Sequence, residues 1–155
     1  MCSKDEEEIE NQNYTSLIGL WKLKSGTTYA INDKNEQIIT ATFKEGVVGH
    51  EFLSDGSYIG HDYTGTTPGE KGTWELKITL LDGQDIEDGT LAISTPSIKQ
   101  SAGDLFVDAD GFIRYSIATI DQPIGGSKSV MTLTTKKYEA FPYKENWAVF
   151  VFIKN

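Results

Sequence analysis

One cysteine, one arginine, two histidines and four prolines among 155 residues leave several kinds of chemistry without material. A single thiol closes no internal disulfide and supplies no pair of metal ligands. The lone arginine, Arg114, in a chain of formal charge −9 leaves no basic cluster to neutralise phosphates, which sets nucleic acid aside as a partner. No apolar run approaches the roughly 18 residues that cross a bilayer as a helix. The longest, Trp147-Ala148-Val149-Phe150-Val151-Phe152-Ile153, has the length of a strand. Sustained helical periodicity is missing, as are a Gly-x-Ser-x-Gly elbow, a phosphate loop and a Gly-x-Gly-x-x-Gly turn. His50-Glu51 has no second histidine at the spacing of a zinc hydrolase, and no catalytic residue is assigned. The expectation is a protein that is not an enzyme and carries no cofactor and no metal.

What the chain does contain is alternation. From Thr73 to Leu81, Trp74, Leu76, Ile78 and Leu80 alternate with Glu75, Lys77 and Thr79, so one face of a strand enters a core and the other meets water. Similar segments are Leu20–Lys24, Ile38–Lys44, Val47–Leu53, Ser57–Tyr63, Thr90–Ser94, Leu105–Val107, Phe112–Ile120, Val130–Lys137 and Trp147–Lys154. Asp55-Gly56, Asp82-Gly83, Asp88-Gly89 and Asp110-Gly111 lie between them, and Asp-Gly is the strongest short-range signal for a hairpin. Asn32-Asp33-Lys34-Asn35 reads as a further turn. About eight to ten antiparallel strands joined by short hairpins predict an all-β fold, an up-and-down barrel. The last strand is apolar on both faces, which predicts a cover on its outer side as well, from another segment or from a second chain; the oligomeric state stays open.

The polar lead divides from this domain by composition. Residues 3–10 carry a net −4, leaving −5 for the remainder, and the segment through residue 15 is too charged to offset the entropy of ordering it. It predicts a disordered acidic tether over 1–15 and a barrel domain over 16–155. Cys2 sits in the tether, followed by Ser3-Lys4-Asp5-Glu6-Glu7-Glu8. An exposed thiol is reactive, and acylation would turn it into an anchor. This start resembles the first mature residues of a bacterial lipoprotein, with Met1 in place of a removed leader. The acidic run is similar to the export signal of Bacteroidota surface lipoproteins. The resemblance implies an outer-membrane, lipid-anchored location, possible exposure on the cell surface, and contact with the membrane through the N-terminal lipid only. An ordinary acidic terminus is the plainer alternative.

Leu17-Ile18-Gly19-Leu20-Trp21-Lys22-Leu23 resembles the Gly-x-Trp opening of lipocalins. Phe52-Leu53-Ser54-Asp55-Gly56-Ser57-Tyr58, a second Gly-x-Trp in Lys71-Gly72-Thr73-Trp74, and a closing aromatic strand follow in order. The set is similar to the lipocalin-like (calycin-like) lipoproteins of Bacteroidota and covers residues 17–155. It implies a lipocalin-like barrel whose closed end is filled by Gly19 and Trp21. It departs from the family at the arginine that lies over the first tryptophan from the last strand. Arg114 is on an earlier strand, and Lys154 is the candidate substitute.

A barrel of eight strands is either filled by side chains or holds one small ligand. Candidate lining residues are Phe52, Tyr63 and Trp74, large aromatics that serve equally well as core. If Asp55-Gly56 is a two-residue turn, His50 faces His61 across the hairpin, within reach of a shared ligand carboxylate or metal. Two ligands do not make a zinc site, and a three-residue turn would shift every partner. Arg114 offers a second route to a carboxylate but reads better as an exterior or rim residue, because Ile113, Tyr115 and Ile117 form the more apolar face. The acidic stretches Asp82–Gly89 and Asp108–Gly111 lack the distal glutamate of a calcium loop and read as turns. The expected function is enclosure of a small hydrophobic or amphipathic ligand in the barrel lumen. The alternative is a surface interaction module, adhesin-like or inhibitor-like, with a filled barrel and with Phe141, Tyr143 or Trp147 on an outer patch.

Overall fold

The computed structural model describes residues 17–64, 69–82, 85–103, 107–121 and 128–154. The tether and Cys2 lie outside the described residues. Ten strands follow in order: β1 (Gly19–Ile31), β2 (Gln37–Phe43), β3 (Val48–Phe52), β4 (Ser57–Asp62), β5 (Glu70–Asp82), β6 (Asp85–Ser94), β7 (Ile113–Asp121), β8 (Val130–Thr135), β9 (Tyr138–Ala140) and β10 (Tyr143–Lys154). All pairings are antiparallel, and a ladder between β1 and β10 closes the sheet. The closed circuit is β1-β3-β4-β5-β6-β7-β8-β10, an eight-stranded, lipocalin-like up-and-down barrel. Closure removes the free edges that an open sheet of this size would present.

Two strands extend the barrel. One edge of β1 pairs first with β3, through Gly19 to Lys22, and then with β2, through Gly26 to Ile31. Its other edge follows β10 along its length, and β9 adds to the start of β10. There Tyr29 stacks on Trp147 with centroids 5.6 Å apart, and the Lys137 ammonium lies 4.9 Å from the Trp147 ring centre. The outer face of β10 is thus covered in part by its own neighbours. Asn146 is buried on its inner face and donates to the carbonyls of Tyr138 and Ala140.

Alternation places the core as expected except at Leu80, which is exposed because the bulge after Ile78 breaks the alternation of β5. Trp21, Leu23, Phe52, Trp74, Leu76, Ile78, Leu91, Ile93, Ile117, Met131, Leu133 and Phe152 all point inward and are buried. Each such side chain contributes about 1.5–3 kcal/mol on burial. Trp21 is fully buried and donates from Nε1 to the Leu17 carbonyl at 2.9 Å. The Lys154 side chain crosses Gly19 and brings its ammonium 5.7 Å from the centre of the Trp21 ring. Gly19 has φ +129°, and a Cβ there would come within 2.8 Å of Lys154 Cε. The positive φ is what calls for glycine at position 19, since the flexible Lys154 side chain can move aside.

The turns differ from expectation in length. Three hairpin loops are built alike: Asn35 N–H donates to the Asn32 carbonyl, Gly56 N–H to Leu53, and Gly111 N–H to Asp108. In each the donor residue has positive φ, at 63°, 87° and 83°. These are three-residue loops, a type I turn followed by a left-handed residue. Asp55-Gly56 thus occupies the last two places of a three-residue loop instead of forming a two-residue turn. Asp88-Gly89 is not a turn: it lies inside β6, opposite Leu80 and Ile78, where the register slips by a bulge. A Cβ at Gly89 would stand 2.5 Å from the Lys77 carbonyl oxygen, so its glycine serves close strand approach. Val107 makes only an isolated bridge to Ile113. One short helix, α1 (Pro96–Gln100), follows β6; Thr95 caps it by accepting from Ile98 N–H. Five residues were too few to leave a helical period in the sequence.

Candidate functional site

The lumen is filled at the closed end and hollow at the other. A chain of aromatic contacts rises through it: Trp74 meets Phe52 edge-on at 5.4 Å, Phe52 meets Tyr58 at 5.7 Å, and His50 packs on Phe152 at 4.8 Å. Above His50 and Tyr58 opens a cavity of about 360 Å³ that reaches solvent. Phe150, Phe152 and Tyr115 form its aromatic wall, Ile98 of α1 stands at its lip, and Asp62 and Glu70 lie at its mouth. The volume falls at the lower end of the range for small-molecule sites, roughly 300–1,000 Å³.

The register of β3 and β4 decides which polar groups enter. His50 pairs with Gly60, and His61 pairs with Gly49. The expected opposition of His50 and His61 is therefore corrected. The three-residue loop moves every partner by one position, and a shift of one residue reverses the face of a strand. His50 points into the lumen. Its Nδ1 lies 2.5 Å from the Tyr58 hydroxyl, and its remaining exposure is to the cavity. Burial, and secondarily the neighbouring His61, push its pKa from 6.5 down to about 4, so the ring is neutral at physiological pH. Burial also pushes the Tyr58 phenol far above its ordinary range, with smaller contributions from Tyr115 and Glu70.

His61 takes the outer face with Glu51 and Tyr63. Its Nε2 is 2.9 Å from Glu51 Oε1, and its ring stacks on Tyr63 at 5.7 Å. The Lys22 ammonium sits 4.9 Å from the Tyr63 ring centre. Tyr63 thus covers Gly49 from outside and does not enter the lumen. Phe52 and Trp74 do enter it but lie beneath the cavity as buried core. Trp74 donates from Nε1 to the Leu53 carbonyl at 3.0 Å. Of the five candidate lining residues, His50 and His61 border the cavity, His50 from the inner face of β3 and His61 from the outward-facing register of β4, where its ring is held by Glu51 and Tyr63.

Sequence reasoning missed Tyr58, Tyr115, Phe150 and Glu70. Tyr58 was within reach, since its alternation with Gly60 on one face follows once the loop length is known. Glu70 lies on the Trp74 face of β5, opposite Gly60, so alternation carried back from Trp74 reaches it; what the sequence does not show is that α1 brings Ser97 to it. Ser97 Oγ donates to Glu70 Oε2 at 2.6 Å and Ser97 N–H to Oε1 at 3.4 Å. These hydrogen bonds from Ser97, with one from Thr95, hold the Glu70 carboxyl below its ordinary pKa, so it is ionised.

Arg114 stands outside, as the apolar face of β7 indicated. Its Nε donates to Asp108 at 2.6 Å and its Nη2 to Asp110 at 2.5 Å, while Lys136 also reaches Asp108. The Asp108–Gly111 stretch is thus a turn stapled by cations. Among the described residues no group of three or more histidine, cysteine, aspartate or glutamate side chains could hold a metal ion. Comparison with protein-family models, with curated proteins and with solved structures gave no match.

Proposed function

We propose that this protein binds one small apolar or amphipathic molecule in the open end of its barrel. The observation that carries the reading is the cavity of about 360 Å³ above the His50–Tyr58 pair, walled by Tyr115, Phe150 and Phe152. Aromatic walls supply apolar contact, and a few fixed polar groups orient the guest. His50 and Tyr58 satisfy each other at the floor, so the cavity presents an apolar base to the ligand. The Lys154 ammonium over Trp21 supports kinship with lipocalin-like lipoproteins, in which a cation covers that position. In the same reading Cys2 carries the lipid and residues 1–15 form a leash, so the barrel works beside an outer membrane without entering it.

Two measurements test this. Native mass spectrometry of protein released from its source membrane is expected to show a co-purifying molecule of a few hundred daltons, lost when Gly60→Leu fills the space beside the Tyr58 hydroxyl at the cavity floor. Repeated recovery of ligand-free protein would sink the carrier reading. Exchange of Cys2 for Ser is expected to move the protein out of the membrane fraction without changing its melting temperature.

A surface interaction module is the second reading. Phe141 is fully exposed, and β2 exposes Ile39 and Phe43 on a strand paired only with β1 among the described residues. Trp147 is occupied by Tyr29 and Lys137, which leaves these groups scattered.

A further inference from the structure

The charges around the cavity are one-sided. Among the described residues that border it there is no lysine or arginine, while Asp62 and Glu70 both do. The basic groups that do border it are engaged: His50 with the Tyr58 hydroxyl, and His61 with Glu51. Arg114, the one residue suited to a carboxylate guest, is bound to Asp108 and Asp110 outside the barrel. Lys71 and Lys99 line a separate shallow cleft on the far side of Thr95.

Glu70 is the informative residue. Its carboxylate is held by Ser97 through neutral donors, and no cation lies within ion-pairing distance of it among the described residues. Hydroxyl donors fix the direction of a carboxylate but do not cancel its charge. A second, independent feature points the same way. Tyr115 turns its ring to the cavity, packs edge-on against Phe150, and has no hydrogen-bond partner for its hydroxyl among the described residues. Glu70, Tyr115 and Tyr58 all line this one cavity.

We infer that the guest is an organic monocation, an amine or quaternary ammonium on an apolar or aromatic body. Its charged head lies at the mouth beside Glu70, and its body lies between Tyr58, Tyr115 and Phe150. The faces of those rings attract a cation, and the carboxylate supplies the full opposite charge. An anionic guest would meet two carboxylates and a neutral histidine. This inference rests on the cavity being a binding site, and the experiment separates the two.

The probes are three matched compounds, 2-phenylethylamine, 2-phenylethanol and 3-phenylpropionate, together with their naphthyl counterparts, titrated calorimetrically into the full-length protein at neutral pH. The amines are expected to bind about tenfold or more tighter than the alcohols, with the carboxylates weakest. Glu70→Gln, which drops the charge and keeps an oxygen to accept from Ser97, is expected to bring amine affinity down to that of the alcohols measured on the same variant. Alcohols binding as tightly as amines, or an amine preference that survives Glu70→Gln, would overturn the inference and leave the cavity as a neutral site. Absence of heat and of any melting shift with all six probes would overturn the binding reading itself.

Discussion

His50 Nδ1 and the Tyr58 hydroxyl meet at 2.5 Å across the β3–β4 hairpin, and this contact is the floor of the cavity. Burial lowers the His50 pKa from 6.5 to about 4, so folding favours the neutral ring. Below pH 6.5 the unfolded chain takes up a proton that the folded chain refuses, and stability falls until the folded pKa is reached. The loss is expected to be about 2 kcal/mol between about pH 8 and pH 5, at ~1.4 kcal/mol per unit within the window. The carboxylates whose pKa values are lowered, Asp55, Glu70 and Asp108, act on stability only below their ordinary range near pH 4. The acid limb above pH 4.5 therefore belongs to His50. Urea melts of His50→Phe across this range are expected to be flat where the wild type slopes; an unchanged slope would assign it elsewhere.

Tyr58→Phe tests the same contact from the other side. Removing the hydroxyl leaves His50 Nδ1 without its protein partner at the floor of a cavity that reaches solvent. The expected cost is about 0.5–1.5 kcal/mol at neutral pH, read from chemical denaturation. A cost near zero would mean that the ring turns to another partner.

His61 serves as the contrast, because it is the residue that a one-residue register error would have placed beside His50. Its hydrogen bond to Glu51 is on the outer face, partly exposed, where such pairs contribute about 0–1 kcal/mol. His61→Ala is expected to stay within ~1 kcal/mol of the wild type and to leave amine binding in the cavity intact. Loss of binding in this variant would return His61 to the site.

Legibility in the sequence followed interaction range. The strands were readable because Trp74, Leu76 and Ile78 alternate locally, and alternation is what a half-buried strand requires. The hairpins were readable from Asp-Gly, but not their length. The same dipeptide serves a two-residue turn, the end of a three-residue loop at Gly56, and a bulge at Gly89. That single ambiguity moved Tyr63 and His61 into the lumen on paper and hid Tyr58. Glu70 reaches the mouth on β5, opposite Gly60 and on the face of Trp74, whereas Ile98 arrives only because the α1 segment folds back over β5, a non-local event with no periodic trace.

Gly72 shows a glycine whose reason is entirely non-local. A Cβ there would stand 1.9 Å from the Ser94 carbonyl oxygen and 2.9 Å from its carbonyl carbon, both backbone atoms that cannot rotate away. Gly72→Ala must push β5 off the end of β6. The expected loss is at least ~3 kcal/mol, or failure to fold, in the manner of an overpacked core. A soluble variant with wild-type melting would show that the β5–β6 crossing is wider than 1.9 Å implies.

Lys154 raises a question of which contribution wins. Its ammonium faces the Trp21 ring at 5.7 Å, a contact that contributes about 0.5–1 kcal/mol where desolvation is small. Yet burial lowers its pKa, so its charged form is less favourable in the folded chain than in water. The hydrocarbon stem over Gly19 is the part of the residue whose burial carries no charge-desolvation cost. Lys154→Met, which keeps the stem and drops the charge, is expected to be as stable as the wild type or slightly more so. Lys154→Ala, which uncovers Trp21, is expected to lose about 1–2 kcal/mol. Equal losses in the two variants would instead identify the ammonium as the part that holds the closed end, and chemical denaturation at neutral pH distinguishes the outcomes.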